Sequence, residues 1–310
     1  MNSRLPFSRT LLLLVLLPAC GPPEEEAPGP AVVERVAVSF APLAWAAETL
    51  ARGTVPVVLP LPPGEDPAFW EPSDAALATF QQSRRILLNG AGFERWAATA
   101  VLPRSRVVET AAAFRDRWIV REEGRVHSHG GGPAHSHAGL DGHTWLAPSL
   151  FREQLRSAAR ALEEAWPEHR AVFRAGLEEA EAALEDLENR LRALQPALQG
   201  WTLLASHPAY DYLAREQGWT IRNFDLDPEA PLTPEQLQAL EAARGLRTLM
   251  LWEGEPRPET RRALEERGIR SVLYAPGEGP GGPPWPELQR QNLERLAEAL
   301  GAGALAPAGD

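Results

Sequence analysis

The 310-residue chain contains no lysine, one cysteine and two methionines. Nowhere does it hold an apolar run long enough to span a bilayer as a mature helix. A single cysteine, Cys20, excludes an intrachain disulfide. With no lysine, all 31 basic residues are arginines, and against 42 acidic residues they leave a formal net charge of −11. That balance argues against nucleic acid or an anionic membrane surface as the main partner, and makes a cation the more natural ligand. Also absent are an HExxH pair, a GxSxG elbow and a phosphate-binding glycine loop, so no enzyme signature is present and the chain is read as a non-enzyme. At 44% hydrophobic residues it holds enough apolar side chain for about two cored domains.

Residues 1–19 read as an export signal. Arg4 and Arg9 form a short basic region, Leu11 to Leu17 an apolar run, and "LPAC" follows. "LPAC" resembles the lipobox of bacterial lipoproteins, in which the cysteine, here Cys20, is acylated and becomes the first residue. Removing residues 1–19 takes away Arg4 and Arg9 and no acid, so the charge moves from −11 to −13. Residues 20–33 continue after Cys20 with "GPPEEEAPGPA", a Pro/Gly/Glu tether that would hold a domain off a membrane. The expected location is extracytoplasmic, in the periplasm or at the cell surface, with a lipid anchor in the membrane.

Beyond the tether, strand and helix patterns alternate. "RVAVSFAPLAWAAETLA" passes from β-branched alternation to a helical period, "VPVVLPLP" reads as a strand, and "PSDAALATFQQS" as a helix capped by Ser73. "RRILLNGAGFERWAATAV" reads as strand, glycine turn and helix, and "SRVVETA" as a strand. Residues 148–198 change character, being rich in Ala, Leu, Glu and Arg with one interior break at Pro167. They predict two helices, the second a long one from about Glu168 to Leu194. The alternation then resumes from "WTLLASH" to "QRQNLERLAEALG", with Thr233 as a helix cap. The expected fold is α/β: two α/β lobes with parallel sheets, joined by a long rigid helix, with a cleft between the lobes. The boundaries are 34–167 for the first lobe, 168–198 for the connecting helix, 199–302 for the second lobe and 303–310 for a tail.

Five of the seven histidines lie in "RVHSHGGGPAHSHAGLDGHTWLAP". His127, His129, His135 and His137 form two His-x-His pairs spaced by glycine, inside a loop over residues 125–142. Such a tract cannot preorganise a catalytic centre, but it can capture metal weakly and raise its local concentration. His143 stands apart from it in "GHTWLAP". His169 is expected on the surface at the start of the long helix.

The order of motifs resembles the solute-binding lipoproteins of bacterial zinc and manganese ABC importers. The likeness rests on "PPGEDPAFWEPSDAALATFQQSRRILLNGAGFERW", "GHTWLAPSLFREQL", "LLASHPAYDYLAREQGW", "LMLWEGEPRPETRRALEERGIRSVLYAP" and "QRQNLERLAEAL", from Val36 to Leu300. It implies a monomer that carries one divalent metal ion, Zn²⁺ or else Mn²⁺, between its lobes and hands it to an ABC importer permease, without catalysis. The family's second and third ligands fall on His143 and His207. Its first and fourth fall on Ala68 and Ala275, which have no lone pair to give. Substitutes stand nearby: Glu71 and Glu278 lie three residues beyond each alanine, Glu253 ends a neighbouring strand, and Glu65 and Asp66 precede Ala68. Two imidazoles with two carboxylates suit Zn²⁺ or Mn²⁺. Two alternatives remain open, a diverged member acting as a metal buffer and one binding a non-metal solute. For the latter, Trp70, Trp252 and Trp285 are candidate pocket walls.

Overall fold

A computed structural model describes residues 31–121, 126–127, 135–136 and 139–303. The signal segment, Cys20, most of the tether, His129, His137 and most of the tail lie outside the described residues. So do the side chains of His127 and His135.

Two four-stranded sheets are built alike. In the first, β1 (Val33–Val38), β2 (Val57–Val58), β3 (Ser83–Leu88) and β4 (Val107–Glu109) run parallel in the order β2-β1-β3-β4. Helices α1 (Ala41–Ala51) and α2 (Asp74–Gln82) are its crossovers, and the Ser73 hydroxyl caps α2 by accepting the Ala76 N–H at 3.3 Å. Two short antiparallel ribbons follow: β5 (Val120–Arg121) pairs with β8 (Gly139–Leu140), and β6 (Val126–His127) with β7 (His135–Ser136). Helices α3 (Pro148–Ala165) and α4 (Arg170–Leu198) lead to the second sheet. There β9 (Thr202–Ala205), β10 (Ile221–Asn223), β11 (Thr248–Trp252) and β12 (Ile269–Leu273) run parallel in the order β10-β9-β11-β12. Helices α5 (Asp211–Gln217), α6 (Pro234–Ala243), α7 (Pro258–Glu265) and α8 (Trp285–Leu300) complete it. A capping box starts α6: Thr233 Oγ1 accepts from the Gln236 N–H, and Gln236 Oε1 accepts the Thr233 N–H at 2.8 Å.

Three sequence readings shift. The strand at "VPVVLPLP" narrows to Val57–Val58, because Pro56 and Pro60 bring no N–H to a ladder. The helix expected after the glycine turn is a single 3₁₀ turn, Arg95–Ala98. Gly90, Ala91 and Gly92 all have positive φ, and Trp96 is buried against Phe80 and Trp70, so the chain is committed to a turn and an anchored ring. The long helix begins two residues later and ends four residues later than read, passing through Pro196 in its last turn, where Leu194 and Leu198 stay buried. His169 is half-buried, with its ring edge-on to Phe173.

The buried stripe of α4 is Phe173, Gly176, Ala180, Leu184, Leu187, Leu191, Leu194 and Leu198, spaced by three and four. It packs on α1 and α3 from the first lobe and α8 from the second. One apolar cluster accordingly runs through both lobes, from Val36 to Leu300. Trp285 of α8 stacks edge-on against Phe151 of α3 at 4.7 Å between centroids. A core shared in this way favours small motions between the lobes over wide hinge closure.

At Gly176, α4 touches α1 backbone to backbone. A Cβ there would lie 2.4 Å from the Thr49 carbonyl oxygen and 2.7 Å from Leu50 Cα. Gly176→Ala gains up to about 1 kcal/mol of helix propensity. Overpacking costs typically about 1–3 kcal/mol, and rigid backbone cannot yield as a side chain would. The expected result is net destabilisation in urea unfolding, larger for Gly176→Val; a stabilised alanine variant would show that the helices separate freely.

Candidate metal centre

The carboxyl ends of both parallel sheets supply the cleft residues, as expected for open α/β sheets. His143 follows the β5–β8 ribbon and precedes α3, His207 follows β9, Glu253 follows β11, and Glu278 lies beyond β12. The two imidazoles meet with ring centroids 5.3 Å apart at 77°. Both residues are buried.

His143 sits in a tightly specified turn. Gly142 has no room for a side chain, since a Cβ would come within 2.7 Å of Phe93 Cβ and 3.0 Å of Phe93 Cα. Asp141 Oδ1 accepts the His143 backbone N–H at 3.0 Å and lies 2.8 Å from Nδ1. With Nδ1 held by Asp141, Nε2 is the nitrogen that faces the cleft, where Glu278 Oε1 stands 3.3 Å away. A carboxylate behind the ring of a ligating histidine is the usual device for fixing its tautomer. Behind the turn, Asn89 Nδ2 donates to the Gly142 carbonyl at 2.8 Å, and Asn89 Oδ1 accepts from Thr144 and Gln154 at 2.9 Å each. Glu94 is also buried, accepting from Ser39 and from the Asn89 and Gly90 N–H groups, with burial raising its pKa. From the second lobe, His207 Nδ1 lies 3.3 Å from Glu253 Oε2.

A cavity of about 50 Å³ is lined by Asp66, Ala68, Phe93, Arg121, His143, His207 and Glu278, among others. It has room for an ion and a water or so, given about 30 Å³ per liquid water. The carboxyls crowd one another. Burial, then the charge of Glu278, pushes Glu253 up to about 8 and Asp66 up to about 6. For His143, burial works against the charged ring, but the hydrogen bonds and charges of Asp141 and Glu278 outweigh it and raise the pKa to about 10. Among the described residues no three His, Cys, Asp or Glu side chains already stand in an arrangement that could hold a metal ion. The donors instead face one another, His143 with Glu278 and His207 with Glu253, so closing a shell requires these side chains to turn.

The structure brings His143, His207, Glu253 and Glu278 together. Glu71 is exposed and does not line the cavity; Asp66 takes that side, its Oδ1 accepting the Ala68 N–H at 2.8 Å. Ala68 faces the cavity, whereas the Ala275 backbone is held by Asn292, at 3.1 Å to its N–H and 2.8 Å to its carbonyl. Trp70, Trp252 and Trp285 are buried members of three separate apolar clusters, and none of them lines this cavity. The sequence reading passed over Asp141 and Arg121. For Asp141 a signal existed, since Asp-x-His places a carboxylate where it can cap the next turn. Nothing local marks Arg121.

The chain is similar to known proteins over most of its length. Residues 36–299 match the family model described as ZnuA, zinc-uptake complex component A, periplasmic. The high-affinity zinc uptake system protein ZnuA of Bacillus subtilis is 24% identical over 216 residues, covering 69% of this chain and 66% of that protein. Two solved structures share the fold. The metal-dependent lipoprotein YcdH of Bacillus subtilis superposes with a TM-score of 0.72 at 20% identity, covering 88% of this chain and 99% of its own. The periplasmic zinc-binding protein TroA of Treponema pallidum gives 0.68 at 19%, covering 89% and 100%. The match spans most of the chain and both sheets, and the chain belongs to the ZnuA family of periplasmic zinc-uptake components.

Proposed function

We propose that the protein captures one divalent metal ion in this cleft, zinc foremost and manganese second, and delivers it to the permease of an ABC importer. The observation that carries the reading is the meeting of His143 and His207 from opposite lobes, 5.3 Å apart, with Glu278 and Glu253 beside them. Asp66 is the third carboxylate within reach, replacing Glu71 as the donor nearest the vacant position at Ala68. Borderline imidazole with carboxylate oxygen matches Zn²⁺ at four-coordination, and the surplus of oxygens accommodates the wider shell of Mn²⁺. Capture needs no chemistry beyond displacement of protons, and release follows when the donors of the two lobes part.

Titrating the apo protein with Zn²⁺ and Mn²⁺ by calorimetry tests the reading. One tight equivalent lost in His207→Ala supports it, whereas only weak equivalents that vanish with the histidine tract would leave a metal buffer. The two alanines at expected ligand positions favour that second reading, and the titration separates the two.

For location, Cys20 is the proposed lipid attachment point. Cys20→Ser is expected to move the protein from the membrane fraction to the soluble extracytoplasmic fraction. A mature parent protein without an acyl group on mass analysis would remove the anchor.

A further inference from the structure

Arg121 ends the short strand β5, at the root of the histidine-rich loop, and its side chain is 12% exposed. Its guanidinium reaches both lobes. Toward the first, Nη2 donates to Asp141 Oδ2 at 2.7 Å. Toward the second, Nε donates to Asp211 Oδ2 at 2.9 Å and Nη2 to the Pro208 carbonyl. Two of these three contacts lie one step from a cleft histidine. Asp141 holds His143 by its backbone N–H and its Nδ1, and Pro208 is the residue after His207. Asp211 is itself aimed by Asn223, whose Nδ2 donates to Oδ1 at 2.8 Å. Tyr212 doubles the bridge: its hydroxyl donates to the Asp141 carbonyl at 3.0 Å and accepts the Ile119 N–H at 2.9 Å.

We propose that Arg121 is a cross-lobe clamp that positions both cleft histidines, His143 through Asp141 and His207 through the Pro208 carbonyl. The inference rests on the metal-capture reading for its purpose, but its geometry is independent of any ion. A planar fork with five donors can serve acceptors from two lobes at once, which a single ammonium cannot. Asp141 is fully buried, and a buried carboxylate held only by neutral donors is costly. The clamp therefore neutralises Asp141 and fixes the oxygen that orients His143. Loss of an outer partner of this kind typically weakens metal affinity by about 10–100-fold.

The test uses the full-length protein with Arg121→Ala, Arg121→Lys and Tyr212→Phe. In the metal-free state, hydrogen exchange of the His143 amide is expected to quicken in Arg121→Ala. The Nδ1–H proton of His143, held by Asp141 Oδ1, should exchange faster with solvent in ¹⁵N–¹H spectra of the imidazole. With Zn²⁺ and a competing chelator, affinity should fall about 10–100-fold in Arg121→Ala, and less in Arg121→Lys and Tyr212→Phe. Circular dichroism checks folding; if the alanine variant unfolds, the lysine and phenylalanine variants carry the comparison. Unchanged exchange of the His143 amide and Nδ1–H protons, or parental zinc affinity in the folded variants, overturns the clamp. A parent that binds no zinc against the chelator overturns the metal-capture reading instead, and the metal-free measurements still decide on the clamp.

Discussion

Zinc at a hundredfold excess over its dissociation constant is expected to stabilise the protein lacking residues 125–138 by about 2.7 kcal/mol, by mass action alone. For a fold of this size that is a rise in melting temperature of roughly 5–10 °C. The deletion stops at residue 138 because Gly139 pairs with Arg121 in the ribbon that seats His143. Removing the tract isolates the cleft from the four loop imidazoles. His207→Ala takes away a donor from the second lobe and should abolish most of the gain. Ala68→His places an imidazole on the cavity wall and should enlarge it. Adding Ala275→Asp should help less, since Ala275 does not line the cavity. Differential scanning calorimetry with and without Zn²⁺ or Mn²⁺ measures all four. A parent with no metal-dependent shift, beside a double variant that shows one, would mean that the natural cleft has given up metal.

The same stabilisation should grow with pH. Three cleft groups bind protons more tightly in the metal-free fold than in the unfolded chain: Asp66 (raised to about 6), Glu253 (to about 8) and His143 (to about 10). Each raised pKa adds stability that is complete below the group's unfolded value and is lost as pH climbs through its folded value. The window is about 4–6 for Asp66, 4.5–8 for Glu253 and 6.5–10 for His143. Beside burial, Glu278, Asp141, Asp227 and Arg95 contribute to these shifts, and Arg121 lines the same cavity. A metal ion needs the donors deprotonated, so it competes with those protons and releases them on binding. Between pH 6 and 8.5 the melting temperature of the metal-free protein should fall, while that of the zinc-bound protein should hold nearly level. Calorimetry in buffers of different ionisation enthalpy should count the protons released. A constant gap across that range, with no proton release, would show that metal does not displace them.

Most of the fold was legible because its signals are local. Alternating β-branched residues followed by helical periods named both sheets, and Ser73 and Thr233 marked helix starts through their own hydroxyls. Where tertiary packing decides, the reading slipped: burial of Trp96 and three successive positive-φ residues turned an expected helix into a single 3₁₀ turn. The cleft divides in the same way. His143 and His207 were found through their motifs. The substitution of Asp66 for Glu71 depends on a turn in which Asp66 accepts from Ala68, which brings one carboxyl to the cavity and leaves the other in solvent. Arg121 finds Asp211 across 90 residues of chain, a distance over which no periodicity or spacing carries information.

The backbone contact at Gly176 has a mechanical consequence. A 29-residue helix is a stiff rod, and the 22 residues beyond Gly176 extend it by about 33 Å. An angular error of about 5° at that fulcrum becomes a displacement of about 3 Å at the far end, where β9 and then His207 begin. That is comparable to the 3.3 Å separating His143 of the first lobe from Glu278 of the second. The missing methyl at residue 176 thus sets the tolerance to which a site at the other end of the lever can be assembled.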